Sequence, residues 1–101
     1  MAHVIWAEQA KNDLKEIYTF LRRDSEEYAE ALTDRLFWST DRLEQFPSSG
    51  RMIPEFRSRN LREILVENYR ILYELSGNTV QILAVIHSRR NLRKATKGRV
   101  K

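Results

Sequence analysis

The hydrophobic pattern of the chain changes its period several times, and each change predicts a new element. The run His3-Val4-Ile5-Trp6 is rich in β-forming side chains, so it predicts a first strand. Apolar residues then recur at helical spacing, which predicts an amphipathic helix from about Glu8 to Arg23. The apolar stripe of this helix consists of Ala10, Leu14, Ile17, Tyr18 and Leu21.

A second helix is predicted directly after the first. Asp24 can cap the free N–H groups of a new helix, and Glu27 can complete a capping box. The helix should end near Phe46, because Pro47 disfavours a helical conformation at the residue before it. So short a joint between two helices predicts an antiparallel hairpin. The apolar stripe of the second helix consists of Tyr28, Leu32, Leu36, Ser39, Leu43 and Phe46.

The pattern switches from helix to sheet at the turn-forming cluster Pro47-Ser48-Ser49-Gly50. Three β-rich segments follow at 61–66, 69–75 and 79–86, with connections short enough for hairpins. The order β-α-α-β-β-β predicts an α+β fold, in which a helical hairpin packs on a small, mostly antiparallel sheet and a basic C-terminal tail follows. We expect residues 1–101 to form a single domain, because the length suits one core and no segment has the composition of a linker.

Composition excludes several classes of chemistry. The chain has no cysteine, which removes disulfides, thiolate metal sites and cysteine nucleophiles. His3 and His87 are too few for a histidine-based zinc site unless carboxylates complete it, and three glycines cannot build a phosphate-binding loop. We therefore expect neither a metal nor a cofactor. No segment resembles a signal peptide or a membrane span, which predicts a cytoplasmic protein.

Charge is distributed unevenly between the two halves. Residues 1–50 carry 6 basic and 10 acidic side chains, whereas residues 51–101 carry 12 basic and 4 acidic ones. From Arg89 onwards there are seven cations and no anion. This asymmetry favours a polyanionic or acidic partner for the second half, although a run of charge is also compatible with a solvated tail.

Candidate chemistry lies among cations on the predicted sheet, where strands about 4.8 Å apart can bring side chains together on one face. These residues are Arg57, Arg59 and Arg62 at the first strand of the hairpin set, Arg70 in the second, and His87, Arg89 and Arg90 at the end of the third. Arginine grips phosphate and histidine transfers protons, as a metal-free ribonuclease requires. A structural interpretation stays open: Arg62 pairs with Glu63 or Glu74, and His87 bonds to the backbone.

Trp38 lies off the main apolar stripe of the second helix, on a face that it shares with Arg35 and Arg42. One interpretation is that its ring widens the buried face of the helix. The other is that Trp38 is an exposed aromatic residue at a contact with a protein partner, since such interfaces are rich in Trp and Arg.

Five groups of residues occur in an order typical of one family. They are Ala7-Glu8-Gln9-Ala10-Lys11-Asn12-Asp13-Leu14, Phe46-Pro47-Ser48-Ser49-Gly50-Arg51, Pro54-Glu55 with Leu61-Arg62-Glu63, Tyr69-Arg70-Ile71-Leu72-Tyr73, and Ile86-His87-Ser88-Arg89-Arg90. Over nearly its whole length the chain resembles the RelE/ParE superfamily of toxins from bacterial type II toxin–antitoxin systems. The resemblance implies a toxin with this α+β fold.

The superfamily implies two possible activities. RelE-like members cleave messenger RNA on the ribosome, and ParE-like members inhibit DNA gyrase. RelE-type sites typically add lysines on the central strands and an aromatic residue near the C-terminus, whereas residues 51–90 contain no lysine and no aromatic residue follows His87. The ending from His87 through Asn91-Leu92 is more similar to ParE. The resemblance therefore implies a gyrase inhibitor, with an mRNA endonuclease as the alternative and a toxin-fold protein with neither activity as the third possibility.

Each activity implies its own set of residues. For a gyrase inhibitor we expect no catalytic residue, and we expect target binding by Arg57, Arg59, Arg62, Arg89, Arg90, Arg93 and Lys94. We also expect the domain to fold without residues 91–101, because the strands end before them. For a nuclease the candidates are Glu55, Arg70, His87 and Arg90. That activity would require the last three to face one side of the sheet within about 10 Å.

The resemblance also implies partners. A cognate antitoxin would contribute an acidic segment that folds as it wraps the toxin, and Trp38 is the candidate contact for it. The target would be DNA gyrase, or the ribosome and mRNA in the alternative activity. No membrane is expected to be involved.

Overall fold

The computed structural model describes residues 1–100, which form one five-stranded sheet with helices and loops on both of its faces. The strands are β1 (His3–Trp6), β2 (Arg51–Met52), β3 (Leu61–Val66), β4 (Tyr69–Ser76) and β5 (Thr79–His87). The helices are α1 (Glu8–Leu21), α2 (Glu26–Trp38) and α3 (Leu92–Ala95), and a 3₁₀ helix spans Ser39–Glu44. The predicted α+β fold is confirmed, with β2 as an additional short strand that the sequence pattern did not reveal.

The strand order is β1-β5-β4-β3-β2, so the first strand lies beside the last one. β1 runs parallel to β5, and the other neighbouring strands are antiparallel. A bulge interrupts the pairing of β4 with β5, because Leu72 lies opposite Ala84 whereas Tyr73 lies opposite Ile82. The extra residue, Leu83, reverses the alternation of side chains along the rest of β5.

Each face of the sheet has its own apolar core. On one face, which we call the helix face, the hairpin of α1 and α2 buries Leu32 and Leu36 against the sheet, and the α1 stripe packs beside them as predicted. The opposite face, which we call the loop face, is covered by residues 53–60 and by the C-terminal segment. Its core consists of Ile53, Leu61, Leu72, Leu83, Ala84, Ile86 and Leu92, with Phe56, Ala95 and Val100 packed against them.

Two predicted details of the helical hairpin are wrong. The N-cap of α2 is Ser25, whose hydroxyl accepts the backbone N–H of Tyr28 at 3.1 Å, so Asp24 and Glu27 form no capping box. The α-helix also ends at Trp38 rather than near Phe46. The hydroxyls of Ser39 and Thr40 donate to backbone carbonyls three residues earlier, at 2.6 and 2.9 Å. Such local bonds compete with the α-helical ladder and favour the tighter 3₁₀ continuation.

The C-terminal segment is part of the folded domain rather than a free tail. Leu92 and Thr96 are almost fully buried, and Val100 packs against the loop-face core. The reason for expecting a stable domain without residues 91–101 therefore does not hold, because Leu92, Ala95 and Val100 cover apolar surface of the sheet. Within residues 1–100, no helix is both long enough and apolar enough to cross a membrane.

Candidate functional site

Arg70 lies in the middle of β4 on the loop face, where all three of its side-chain nitrogens bind carboxylates. Its Nε donates to Glu63 Oε1 at 2.6 Å, and its Nη1 and Nη2 donate to the two oxygens of Glu55 at 2.8 and 2.7 Å. Glu63 is buried in β3, and its second oxygen accepts Arg51 Nε at 2.7 Å. Arg51, Glu63, Arg70 and Glu55 thus form one continuous chain of ion pairs, which we call the Arg70 network.

Hydrogen bonding shifts the pKa values of Glu55 and Arg70 in the Arg70 network. The hydrogen bonds from Arg70 lower the pKa of the Glu55 carboxyl, and those from Glu55 and Glu63 raise the pKa of Arg70 although burial opposes this. A buried carboxylate such as Glu63 is tolerated only when it is paired and hydrogen-bonded. The network therefore joins β2, β3, β4 and the loop at 53–60, and it leaves no Arg70 nitrogen without a carboxylate partner.

A second set of bonds fixes the turn before β2. The Tyr73 hydroxyl accepts the Gly50 N–H at 2.9 Å and donates to the Pro47 carbonyl at 2.8 Å. A Cβ at Gly50 would lie 2.5 Å from that hydroxyl and 2.6 Å from the Glu63 carbonyl oxygen, so only glycine allows the close approach. Burial raises the pKa of the Tyr73 hydroxyl.

His87 lies on the helix face, across the sheet from Arg70. It is paired in the ladder with Tyr69, its ring packs edge-on against the Tyr69 ring at 5.3 Å, and its Nδ1 accepts the Arg89 N–H at 3.1 Å. Together with Arg90 and Ile17 of α1 it lines a groove. The arrangement that a nuclease would require, with Arg70, His87 and Arg90 on one side of the sheet, is therefore not found. The bulge at Leu83 is the cause, because uninterrupted alternation would have placed His87 on the loop face.

The remaining cations divide into bound and exposed groups. Arg62 donates to the backbone carbonyls of Arg59, Ser48 and Gly50, at 3.1, 3.3 and 3.1 Å. The alternative interpretation, in which Arg62 pairs with Glu63 or Glu74, is therefore wrong. The exposed cations of the predicted target-binding set are Arg57 and Arg59 in the loop, Arg89 and Arg90 in the turn after β5, and Arg93 and Lys94 in α3.

Arg93 joins α3 to the loop at 53–60. Its Nη2 donates to the Glu55 carbonyl oxygen, and its guanidinium lies 5.3 Å from the centre of the Phe56 ring. Asn91 caps the N-terminus of α3 by accepting the Lys94 N–H at 3.0 Å. The cations of the loop and of α3 consequently belong to one surface with a fixed backbone.

Asp13 and Arg99 form an ion pair that sequence reasoning did not find. Arg99 donates to both carboxylate oxygens of Asp13, at 2.6 and 3.1 Å, and also to the Leu83 carbonyl at 3.3 Å. Asp13 in turn accepts the Val85 N–H at 2.9 Å. The pair thus provides hydrogen-bond partners for the Leu83 carbonyl and the Val85 N–H, which lie in β5 past the last residue paired with β1. The contact spans 86 residues, and the only signal in the sequence is an acid beside the apolar stripe of α1.

Trp38 is exposed, with 61% of its surface accessible, so the interpretation that it widens the buried face is wrong. Its ring meets Phe37 edge-on at 5.0 Å, and Phe37 stacks on Trp6 at 5.3 Å. These three rings form an aromatic patch at the end of α2.

Comparison with known proteins explains the shared motifs. The sequence model of the family described as the ParE toxin of the type II toxin–antitoxin system parDE matches residues 4–92. The chain belongs to the ParE toxin family. Four of the residues that carried the family resemblance, Arg51, Glu55, Glu63 and Arg70, make up the Arg70 network, and Asp13 is the acid that binds Arg99. In this ParE-family chain the motifs thus hold the sheet, its turns and its C-terminal segment together.

Solved structures are similar in fold. A chain of the chromosomal ParDE system of P. aeruginosa matches with a TM-score of 0.72 at 21% identity, over 86% of this chain and 96% of that one. A chain of the RelBE2 toxin–antitoxin complex of Mycobacterium tuberculosis matches with a TM-score of 0.54 at 22% identity, over 85% of this chain and 96% of that one. No curated protein matches the sequence.

Proposed function

We propose that this chain is the toxin of a type II toxin–antitoxin module and that it arrests growth by inhibiting DNA gyrase in the cytoplasm. Membership of the ParE toxin family is the observation that carries the proposal. The exposed cations of the second half support it, because gyrase works on a DNA substrate and cations gain free energy near phosphates. No catalytic residue is required for this activity.

Cleavage of messenger RNA is the alternative activity, and the positions of the candidate residues argue against it. An acid or base must lie within hydrogen-bond reach of the proton that it moves, and the phosphate ligand must reach the same substrate group. Arg70 is bound to Glu55 and Glu63 on the loop face, whereas His87 lies on the helix face. Of the four candidates, only His87 and Arg90 share a groove.

Two assays with the purified chain test the proposal. We expect inhibition of plasmid supercoiling by gyrase, and we expect a reporter mRNA to stay intact in a translation extract. His87→Ala should change gyrase inhibition by less than about twofold, whereas it would lower cleavage by roughly 10²–10⁴-fold if His87 were a general acid or base. Full supercoiling at saturating folded toxin would contradict the proposal, and cleavage of the reporter would favour the alternative.

We also propose a cognate antitoxin with an acidic segment that folds on this chain. The two similar structures come from toxin–antitoxin systems, and the excess of cations in the second half suits an acidic partner. Trp38 is the proposed contact residue, because an exposed Trp next to a second aromatic ring is a typical anchor of protein interfaces.

Co-expression with the neighbouring gene tests this partner. We expect the two proteins to elute together, and we expect Trp38→Ala to weaken the complex by about tenfold or more. Phe46→Ala is the matched control, because Phe46 is equally exposed, at 62%, but lies outside the aromatic patch. Elution of this chain alone would contradict the antitoxin proposal, and equal losses for the two variants would contradict the role of Trp38.

A further inference from the structure

We propose that the exposed cations of the loop at 53–60 and of α3 bind the phosphate backbone of duplex DNA directly. The proposed surface, which we call the basic surface, consists of Arg57, Arg59, Arg93 and Lys94. This inference rests on the proposed function in one respect: the bound polyanion is identified as DNA because DNA is the substrate of gyrase. Binding to DNA in the absence of gyrase is a separate property and can be measured separately.

Most carboxylates near the basic surface are paired with cations, although Glu74, exposed in β4 opposite Leu61, makes no ion pair in the described chain. Glu55 and Glu63 bind Arg70 and Arg51, and Glu67 binds Arg35 of α2 at 2.8 Å. After Glu74 the sequence contains no acidic residue. A phosphate approaching the loop and α3 therefore meets more cations than unpaired acids, and it gains free energy from counterion release.

The backbone beneath these cations is held in place. The loop is anchored by Glu55, which binds Arg70 through both oxygens, and by Ile53 and Phe56, which pack into the loop-face core. Arg93 ties α3 to the same loop. A surface that is already ordered loses less conformational entropy when it binds, so these cations are better suited to a rigid duplex than an unanchored tail would be.

The distribution of aromatic rings favours duplex DNA over single-stranded RNA. Single strands are bound largely by stacking of bases on exposed aromatic side chains. The strongly exposed aromatic residues of the described chain all belong to the helical half, and they are Phe20, Tyr28, Phe37, Trp38 and Phe46. On the basic surface, Phe56 is partly buried beneath Arg93. The basic surface therefore offers charge without stacking partners, as contact with a paired backbone requires.

The test is a binding titration of the purified chain against a fluorescent duplex of about 30 base pairs over a series of KCl concentrations. The variant Arg57→Ala/Arg59→Ala/Lys94→Ala removes three cations that make no ion pair in the described chain. The control Lys11→Ala/Lys15→Ala/Arg23→Ala removes three exposed cations from the helical hairpin, so both variants have the same net charge.

For the basic-surface variant we expect at least a tenfold loss of affinity at low salt. We also expect the slope of log affinity against log salt to fall by about 2–3, since each phosphate contact contributes about 0.9. The control should keep most of the affinity and the slope. Equal losses in the two variants, or retention of binding in the basic-surface variant, would overturn the inference. Tighter binding to a single-stranded RNA of equal length would overturn it in favour of RNA.

The same variants separate this inference from the proposed function. Loss of DNA binding together with weaker gyrase inhibition supports both. DNA binding by a chain that leaves supercoiling unaffected would support the inference while contradicting the proposed function. Gyrase inhibition without any DNA binding would contradict the inference and leave the proposed function standing.

Discussion

At Arg70, one side chain of β4 connects β3, through Glu63, with the loop at 53–60, through Glu55. Its loss would leave the buried carboxylate of Glu63 with Arg51 as its single charged partner. Breaking a buried ion pair on one side is costly because the remaining charge stays desolvated. We expect Arg70→Ala to lower the free energy of unfolding by about 3–5 kcal/mol in urea denaturation. Arg57→Ala, an exposed arginine, should change it by less than about 0.5 kcal/mol.

A second pair of variants shows whether the penalty comes from the unpaired charge. Glu63→Gln/Arg70→Met removes both charges of the buried pair, and it should be less destabilised than Arg70→Ala alone. If the double variant is the less stable of the two, packing of the Arg70 side chain rather than the charge of Glu63 explains the loss.

Glu55 predicts a dependence of stability on pH. Its pKa is lowered in the folded chain, chiefly by the hydrogen bonds from Arg70. The ion pair of Glu55 with Arg70 therefore contributes its full stabilisation above the ordinary glutamate pKa of about 4.3. This stabilisation is lost as the pH falls through the lowered pKa of Glu55 in the folded chain. Urea denaturation at pH 7 and at pH 3 should show that the free energy of unfolding falls by about 1 kcal/mol more for the wild type than for Glu55→Gln. Parallel curves for the two proteins would contradict the assignment.

Among the elements, the turn before β2 has no room for a side chain at Gly50. We expect Gly50→Ala to destabilise the fold by about 1–3 kcal/mol, because the new methyl group would displace the Tyr73 hydroxyl or the backbone of β3. Ser49→Ala, at the exposed neighbouring position, is the matched control and should be nearly neutral. Thermal unfolding of the two variants distinguishes them, and equal melting temperatures would show that the turn can shift freely.

Local pattern was sufficient to predict the main strands and helices, though not β2 or the 3₁₀ end of the second helix, and it was not sufficient to predict the site. The strands and helices follow from periodicity, since alternation and helical spacing are properties of neighbouring residues. The face on which His87 lies depends instead on a single bulged residue, Leu83, which no local propensity marks.

The contact of Asp13 with Arg99 depends on packing over the whole chain, so it could not be read from spacing. Arg70 and Glu63 lie on the two strands of one hairpin, whereas the contact of Arg70 with Glu55 depends on the path of the loop at 53–60.

For the whole molecule, the C-terminal segment contributes to stability. Removing Arg99 would leave Asp13, which is nearly buried, without its charged partner. We expect Arg99→Ala to lower the free energy of unfolding by about 2–4 kcal/mol. Lys97→Ala removes an exposed cation of the same segment and should leave the free energy of unfolding nearly unchanged. Urea denaturation measures both. A truncation after Arg90 should unfold at 37 °C, because it also uncovers the loop-face core, and a cooperative native-like transition for it would contradict this role.

The position of β1 beside β5 also determines when the sheet can be completed during synthesis. His3 pairs with Thr79, so the first strand made has no sheet neighbour until a segment 76 residues later has emerged. At synthesis rates of about 5–20 residues per second, the interval between synthesis of His3 and of Thr79 is about 4–15 seconds. During that interval the nascent chain holds an unfinished sheet. The sheet of this chain is therefore completed in a late step of synthesis, after β5 has emerged.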